Sequence, residues 1–456
     1  MSIPQGFKTF SGGIFLAISG TIATHLVLGG IRLKLSLLAL VLSLTAAAQS
    51  PAPVSAQKEA LPTLDPVQVR IISDHEARES LGHVQINVGN ESTVASPELA
   101  GVTTNAGTTL PVWSYSVKAS QNGSTYSGQI VGTSALSSNT TTDIPAIIVP
   151  VIIKITQGGT TYTFDPTATD ASCLGTGNTA LSLTQGSPIF SNASLNINGQ
   201  SEGSTQYGDA ILRAEFNTTT NSNSSYHLLL NATTSTALTI TVNAGFRNGN
   251  STGTVYSVGS QCGNNGTTNR AGALAVVNIN TVDAALQNYI KSHGLNASQF
   301  PFFITYNAVM SEGPANNTAY CCVLGYHNAL GTPGQTYGVA EFEGRDQTVF
   351  TGVADIAAAS HEVNEWINDP ATTNPTPAWG NIGQVSGCQS NFEVGDPLSG
   401  TLMPTVSMPN GFTYHLQELA FYSWFYGGAS LGAGGKYSSN GTFAGAANLC
   451  PPGGTN

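Results

Sequence analysis

The chain has 456 residues, enough for two or three domains at roughly 100–200 residues each. Its 14 Lys and Arg against 25 Asp and Glu give a formal net charge of −11. With no basic run, this balance excludes nucleic acid as a partner. Charged residues are only 9%, against about 25% in ordinary soluble domains, which excludes charge-driven disorder.

Residues 1–34 carry Lys8, Arg32 and Lys34 and no acid, and an apolar run, Leu35–Leu44, leads into Thr45-Ala46-Ala47-Ala48. A basic region, a short apolar run and a small-residue site read as a secretory signal over 1–48. Cleavage is expected after Ala48, with Val54-Ser55-Ala56 as a second choice. Apolar residues also fill 12–30, so a membrane anchor is the alternative, although His25 and several glycines interrupt that stretch. No stable membrane span is expected in the mature chain. The run Ile144–Ile155 is too short and is broken by Pro145, Pro150 and Lys154. A secreted protein, extracellular or periplasmic, is the expectation.

Residues 49–108 mix Pro, Ser, Thr and charges without clear period and read as a linker or flexible segment. From Leu110 the pattern turns to β. Strands are expected at Val112–Val117, Ser127–Val131, Ala146–Ile155, Thr160–Phe164, Tyr226–Leu230 and Ala237–Val242, with one helix at Tyr207–Phe216. This predicts a β-rich, sandwich-like domain over 109–268. Over 269–450, helices at Thr281–His293, Gly352–Ile367 and Leu416–Phe425 alternate with strands at Phe302–Tyr306 and Tyr337–Phe342. The fold class is therefore α+β. Six cysteines suit an exported chain with three disulfides in any of 15 pairings. No C-x-x-C supports a structural zinc site, and the adjacent Cys321 and Cys322 are expected to point opposite ways on a strand.

The chemistry concentrates in Ser360-His361-Glu362-Val363-Asn364-Glu365-Trp366. His361 and Glu365 are four apart, so an imidazole and a carboxylate share one helix face and can reach one divalent cation. Glu362 lies about 100° round the helix, beside the metal, where it can act as general base on an activated water. The alternative is a helix that turns these polar groups to solvent. A third ligand is expected from Glu393 or Asp396, two acids in an acid-poor region, with Glu393 favoured. Asp369 sits too far along the helix to join them, since eight residues rise about 12 Å, and it is expected to close the helix end before Pro370. Tyr414 and His415 are candidates to stabilise an oxyanion, and His327 is a further candidate.

The second half resembles the exordium (phosphate-induced protein 1) family of secreted proteins. The likeness rests on Cys322-Val323-Leu324-Gly325-Tyr326-His327, on Ala358–Pro370 with its H-E-x-x-E helix, on Glu393-Val394-Gly395-Asp396, and on Asn410-Gly411 with Tyr414-His415-Leu416-Gln417. It covers about residues 300–425. The helix is also similar to that of zincin metallopeptidases, which implies a zincin-like domain over 269–450. Asn364, where the family usually has Ala, and Pro397 depart from the pattern.

Two readings follow. One is a secreted zinc-dependent hydrolase, a peptidase first, with His361, Glu365 and Glu393 or Asp396 on the metal and a protein or peptide substrate. Two carboxylate ligands also admit Mn²⁺ or Ca²⁺. The other is a non-catalytic extracellular protein on the same scaffold that binds a cell-wall component or another protein. A β-rich adhesin with a coincidental H-E-x-x-E is a weaker third.

Overall fold

A computed structural model describes residues 61–64, 70–73, 76–78, 81, 109–220, 224–244, 251–258, 272–330, 334–344 and 349–450. The expected signal or anchor at 1–48 and most of the expected linker lie outside these residues. Among the described residues, no helix is long and apolar enough to cross a membrane.

Strands β1 (Val112–Lys118) and β2 (Thr125–Val131) form an antiparallel hairpin. The spine is β3 (Thr141–Gln157), a 17-residue strand rich in β-branched side chains, which favour a pleated, buried backbone. It turns back into β4 (Thr160–Phe164), antiparallel to its second half. A second hairpin joins β5 (Ala193–Ile197) to β6 (Gln200–Thr205). Next come β7 (His227–Thr234) and β8 (Leu238–Asn243), parallel to successive halves of β3. A separate four-stranded sheet has the order β13 (Cys321–Val323), β12 (Ala308–Ser311), β10 (Ala273–Asn278), β9 (Gly253–Ser257). The main sheet is completed by β11 (Phe300–Tyr306), parallel to β3, then β15 (Gln335–Phe342), parallel to β11, and the antiparallel β14 (Gly325–Leu330). A last larger hairpin pairs β16 (Pro375–Ile382) with β17 (Val385–Asn391).

Alternation along the main sheet builds two cores. Phe302, Ile304, Ala340 and Phe342 face one core with Trp366 of the Ala357–Asn368 helix. Phe303, Tyr337 and Val339 face the other, with Leu286 and Tyr289 of the Ile279–Ser292 helix. This is the period of two expected of strands covered on both faces.

The α+β, strand-dominated class is therefore seen. The boundary expected near residue 268 is not. β3 hydrogen-bonds β11 across it, and the described residues on both sides belong to one compact unit. The strands before 268 thus do not stand apart as a sandwich, because the longest of them is the middle of a sheet completed by later strands.

Two helices differ from expectation. The Gly352–Ile367 helix begins only at Ala357, because Gly352 (φ 76°) and Asp355 (φ 38°) take left-handed backbone and Asp355 bridges Glu343. It ends at Asp369, held out of helical conformation before Pro370. In place of the helix expected over Leu416–Phe425, a short one forms at Tyr422–Tyr426. Gln417 bridges Leu402 and Ala420 bridges Ser438, so neighbouring chain overrides local propensity there. The expected disulfides are seen, and only the expectation that Cys321 and Cys322 point opposite ways needs correction. Cys321 and Cys322 are bonded to each other across a cis peptide bond. Cys388 pairs with Cys450, and Cys173 is disulfide-bonded too.

Candidate metal centre

Small residues start the central helix: Ala357, Ala358 and Ala359 are good helix formers that fit close against neighbours. The helix lies across β14 and β15, and all twelve of its residues are buried. Trp366 locks it down by stacking on Phe300 with ring centroids 3.7 Å apart and by donating to Thr336 Oγ1. On its other side it meets the Tyr207–Glu215 helix at Gly208, where a Cβ would sit 2.5 Å from Ile367 Cδ1.

This burial removes the solvent-facing alternative. His361 is 4% exposed, Glu362 3% and Glu365 0%. The His361 Nε2 lies 3.1 Å from Glu365 Oε1 and 3.6 Å from Asp396 Oδ1. Two donors about 2.05 Å from one ion at the tetrahedral angle stand roughly 3.3 Å apart. These two spacings match ligands on one small cation, the ligand atoms of the three residues lie within 4.8 Å of one another, and one imidazole with two carboxylates suits Zn²⁺ or Mn²⁺.

The surroundings fix these groups. Gln417 Nε2 donates to the Gly395 carbonyl at 2.8 Å, so its Oε1 faces His361 Nδ1 at 3.1 Å and accepts from it. That places the proton on Nδ1 and leaves the Nε2 lone pair toward the carboxylates. The amides of Gly395 and Asp396 donate to Glu365 Oε1 at 2.9 and 3.2 Å. Gln389 donates to Asp396 Oδ2 at 2.8 Å, and Gln384 donates to Oδ1. Two glycines allow the approach. A Cβ on Gly395 would lie 2.5 Å from the His361 ring, and one on Gly325 would lie 2.6 Å from Glu362 Cγ.

A second group overlaps the first. His327, from β14, is fully buried and donates Nε2–H to the Asp369 carbonyl at 3.0 Å. Its Nδ1 then faces Glu362 Oε2 and Glu365 Oε2, each at 3.8 Å. Either set, His361–Glu365–Asp396 or His327–Glu362–Glu365, brings three ligand atoms close enough for one ion.

The favoured third ligand, Glu393, is not in the His361 set. Its Oε1 pairs with the Arg78 guanidinium, and its Oε2 is 3.9 Å from His327 Nε2. The turn after β17 sends Asp396 to His361 instead, with Gly395 flat against the ring. Tyr414 and His415 also go elsewhere. The Tyr414 hydroxyl donates to the Leu183 carbonyl at 2.8 Å and accepts from Asn410. His415 Nδ1 is 2.6 Å from Asp355 Oδ2, a hydrogen bond that raises its pKa. Neither belongs to the two clusters. Asp369 closes the helix end as expected, accepting the Thr373 and Asn374 amides. Burial, and then the Glu393 charge, push its carboxyl up to about 7.

Beside His361 and Glu362 lies a cavity of about 20 Å³, also lined by Gln384, Ser399 and Gln417. That is close to the room one water needs. Gln384, Gln389 and Arg78 had no motif to announce them, and Gln417 stood in a quoted segment without a role, because each acts through a contact far away in sequence. No known protein family, no curated protein and no solved structure matches the chain.

Proposed function

We propose that this protein is an exported metal-dependent hydrolase, a peptidase first, built on a zincin-like, exordium-like scaffold. The observation that carries the reading is the convergence of His361 Nε2, Glu365 Oε1 and Asp396 Oδ1 on one ion's span, beside a one-water cavity flanked by Glu362. Zinc is the first choice of ion, with Mn²⁺ or Ca²⁺ next. A bound divalent ion supplies a polarised carbonyl and a water acidic enough to attack at neutral pH. Glu362 takes the proton of the attacking water and returns it to the leaving amine. Gln417 holds the His361 tautomer, and the Gly395 and Asp396 amides hold Glu365 in place.

The test is metal content and thermal unfolding of the purified full chain. Zinc at a hundred times its dissociation constant should stabilise the fold by about 2.7 kcal/mol. His361→Ala should remove that gain. Unfolding indifferent to zinc, to chelator and to His361→Ala overturns the proposal. The near-complete burial of the site favours a second reading, a non-catalytic binding protein on the same scaffold. The two part on hydrolysis, which only the first predicts.

A further inference from the structure

A site that cleaves a polymer must admit one, yet His361, Glu362, Glu365 and Asp396 are 4, 3, 0 and 0% exposed. Part of the cover comes from far upstream. Ile72 N donates to the Cys322 carbonyl at 2.8 Å, and Cys322 N donates to the Arg70 carbonyl at 2.7 Å. The backbone at residues 70–72 thus pairs with Cys322 of β13, the kind of main-chain contact by which sheet edges capture peptides. Ile71 and Ile72 line the small cavity with His361 and Glu362. Ile72, Ser73, Ala77 and Arg78 are all buried. At the far end the Arg78 guanidinium pairs with Glu393, with side chains 6 and 0% exposed.

We propose that residues 70–73 and 76–78 act as an intramolecular pseudo-substrate. They occupy a groove that binds a peptide extended at an apolar pair over the Glu362 cavity and turning into a helix at residues 76–78, which brings a basic side chain in reach of Glu393. The inference rests on the peptidase reading for what happens to such a peptide, but not for its binding. Three observations support it. Main-chain pairing with β13 gives affinity without sequence, as strand addition does. The two isoleucines fill apolar space at the site. The ion pair is fully desolvated, so a basic residue is selected there: an unpaired Glu393 in that position is costly. Glu393 is then a specificity residue and not a metal ligand. Upstream, Leu64 N donates to the Ser257 carbonyl at 2.9 Å, and Ser257 N donates to that of Pro62 at 2.7 Å. The segment therefore stays tethered when its Arg78 end lets go.

The experiment uses the full chain. Trypsin cuts after Arg70 only when the paired backbone lifts off β13. Arg78→Glu sets two carboxylates against each other and should speed that cut at least tenfold over wild type, with Arg78→Gln as a milder variant if the first fails to fold. The freed Arg78→Glu protein should then bind a fluorescein-labelled peptide of sequence RIISDHEAR, and should bind at least tenfold more weakly when the peptide's last residue is Glu. Equal cutting after Arg70 in wild type and both variants overturns the inference, as does a freed protein that ignores the peptide. If the peptide binds but zinc-loaded Arg78→Glu protein hydrolyses nothing, the groove stands and the peptidase reading falls.

Discussion

Glu365 Oε1 lies 3.1 Å from His361 Nε2, one helical turn before it, and the same oxygen accepts the amide protons of Gly395 and Asp396. The carboxylate is thus held by two backbone donors from another part of the chain. One segment, Gly395-Asp396, both brings a carboxylate to His361 and orients Glu365, so the three groups are gathered by hydrogen bonds of the fold itself.

Removing the proton acceptor separates catalysis from metal binding. Glu362→Gln, made in the Arg78→Glu protein, should lower kcat for peptide hydrolysis by about 10²–10⁴-fold while zinc content stays at one equivalent or near it. Unchanged turnover would show that Glu362 does not carry the proton.

The geometry divides two acids that look alike in sequence. Asp396→Asn removes a donor facing His361 and should weaken zinc binding by at least tenfold. Glu393→Gln, whose carboxylate faces Arg78 and His327, should leave zinc affinity within a factor of about three. Competition with a chromophoric chelator reads both. The reverse ranking would restore Glu393 as the ligand.

Gly395→Ala tests the packing of the turn on the imidazole. The new Cβ would meet the His361 ring at 2.5 Å, so the ring or the turn must move. We expect a loss of about 1–3 kcal/mol in urea unfolding, typical of overpacking, together with loss of zinc-dependent stabilisation. A variant as stable as wild type that still binds zinc would show that the contact yields freely.

The pH dependence of stability should carry the mark of Glu215, fully buried on the Tyr207–Glu215 helix, where desolvation pushes its pKa up to about 8. The folded state then holds a proton that the unfolded state, near 4.5, has lost. Its contribution is present below about 4.5 and is lost as pH rises through about 8. Glu215→Gln keeps an oxygen to accept the Tyr422 amide and removes the ionisation. Its melting temperature should exceed that of wild type by several degrees at pH 9 and match it near pH 4. Parallel curves across that range would refute the assignment.

The position of the chemistry was legible in sequence because helical spacing is local. His361, Glu362 and Glu365 had to share one turn, and their relative directions follow from 3.6 residues per turn. The same locality served the strands that became β1 to β4 and the helices at 207 and 279. It failed at Leu416–Phe425, whose aromatic spacing suits a helix but whose residues 417–420 find partners in other segments. It offered no guide at Tyr414 and His415, which stand well past the motif in sequence and turn toward Leu183 and Asp355.

By itself the sequence determined the class, strand-rich α+β, and one helix turn carrying an imidazole and two acids. Both are set by periodicities of two and 3.6 residues that any chain of this composition must obey. Only the tertiary structure decided that Asp396 and not Glu393 meets His361, that Gln417 sets its tautomer, that one sheet spans the expected domain boundary, and that Arg78 reaches across 315 positions to Glu393. Those relations depend on which distant segments share a core. Burial of polar groups demands partners wherever the fold can bring them, and no local pattern records where that will be.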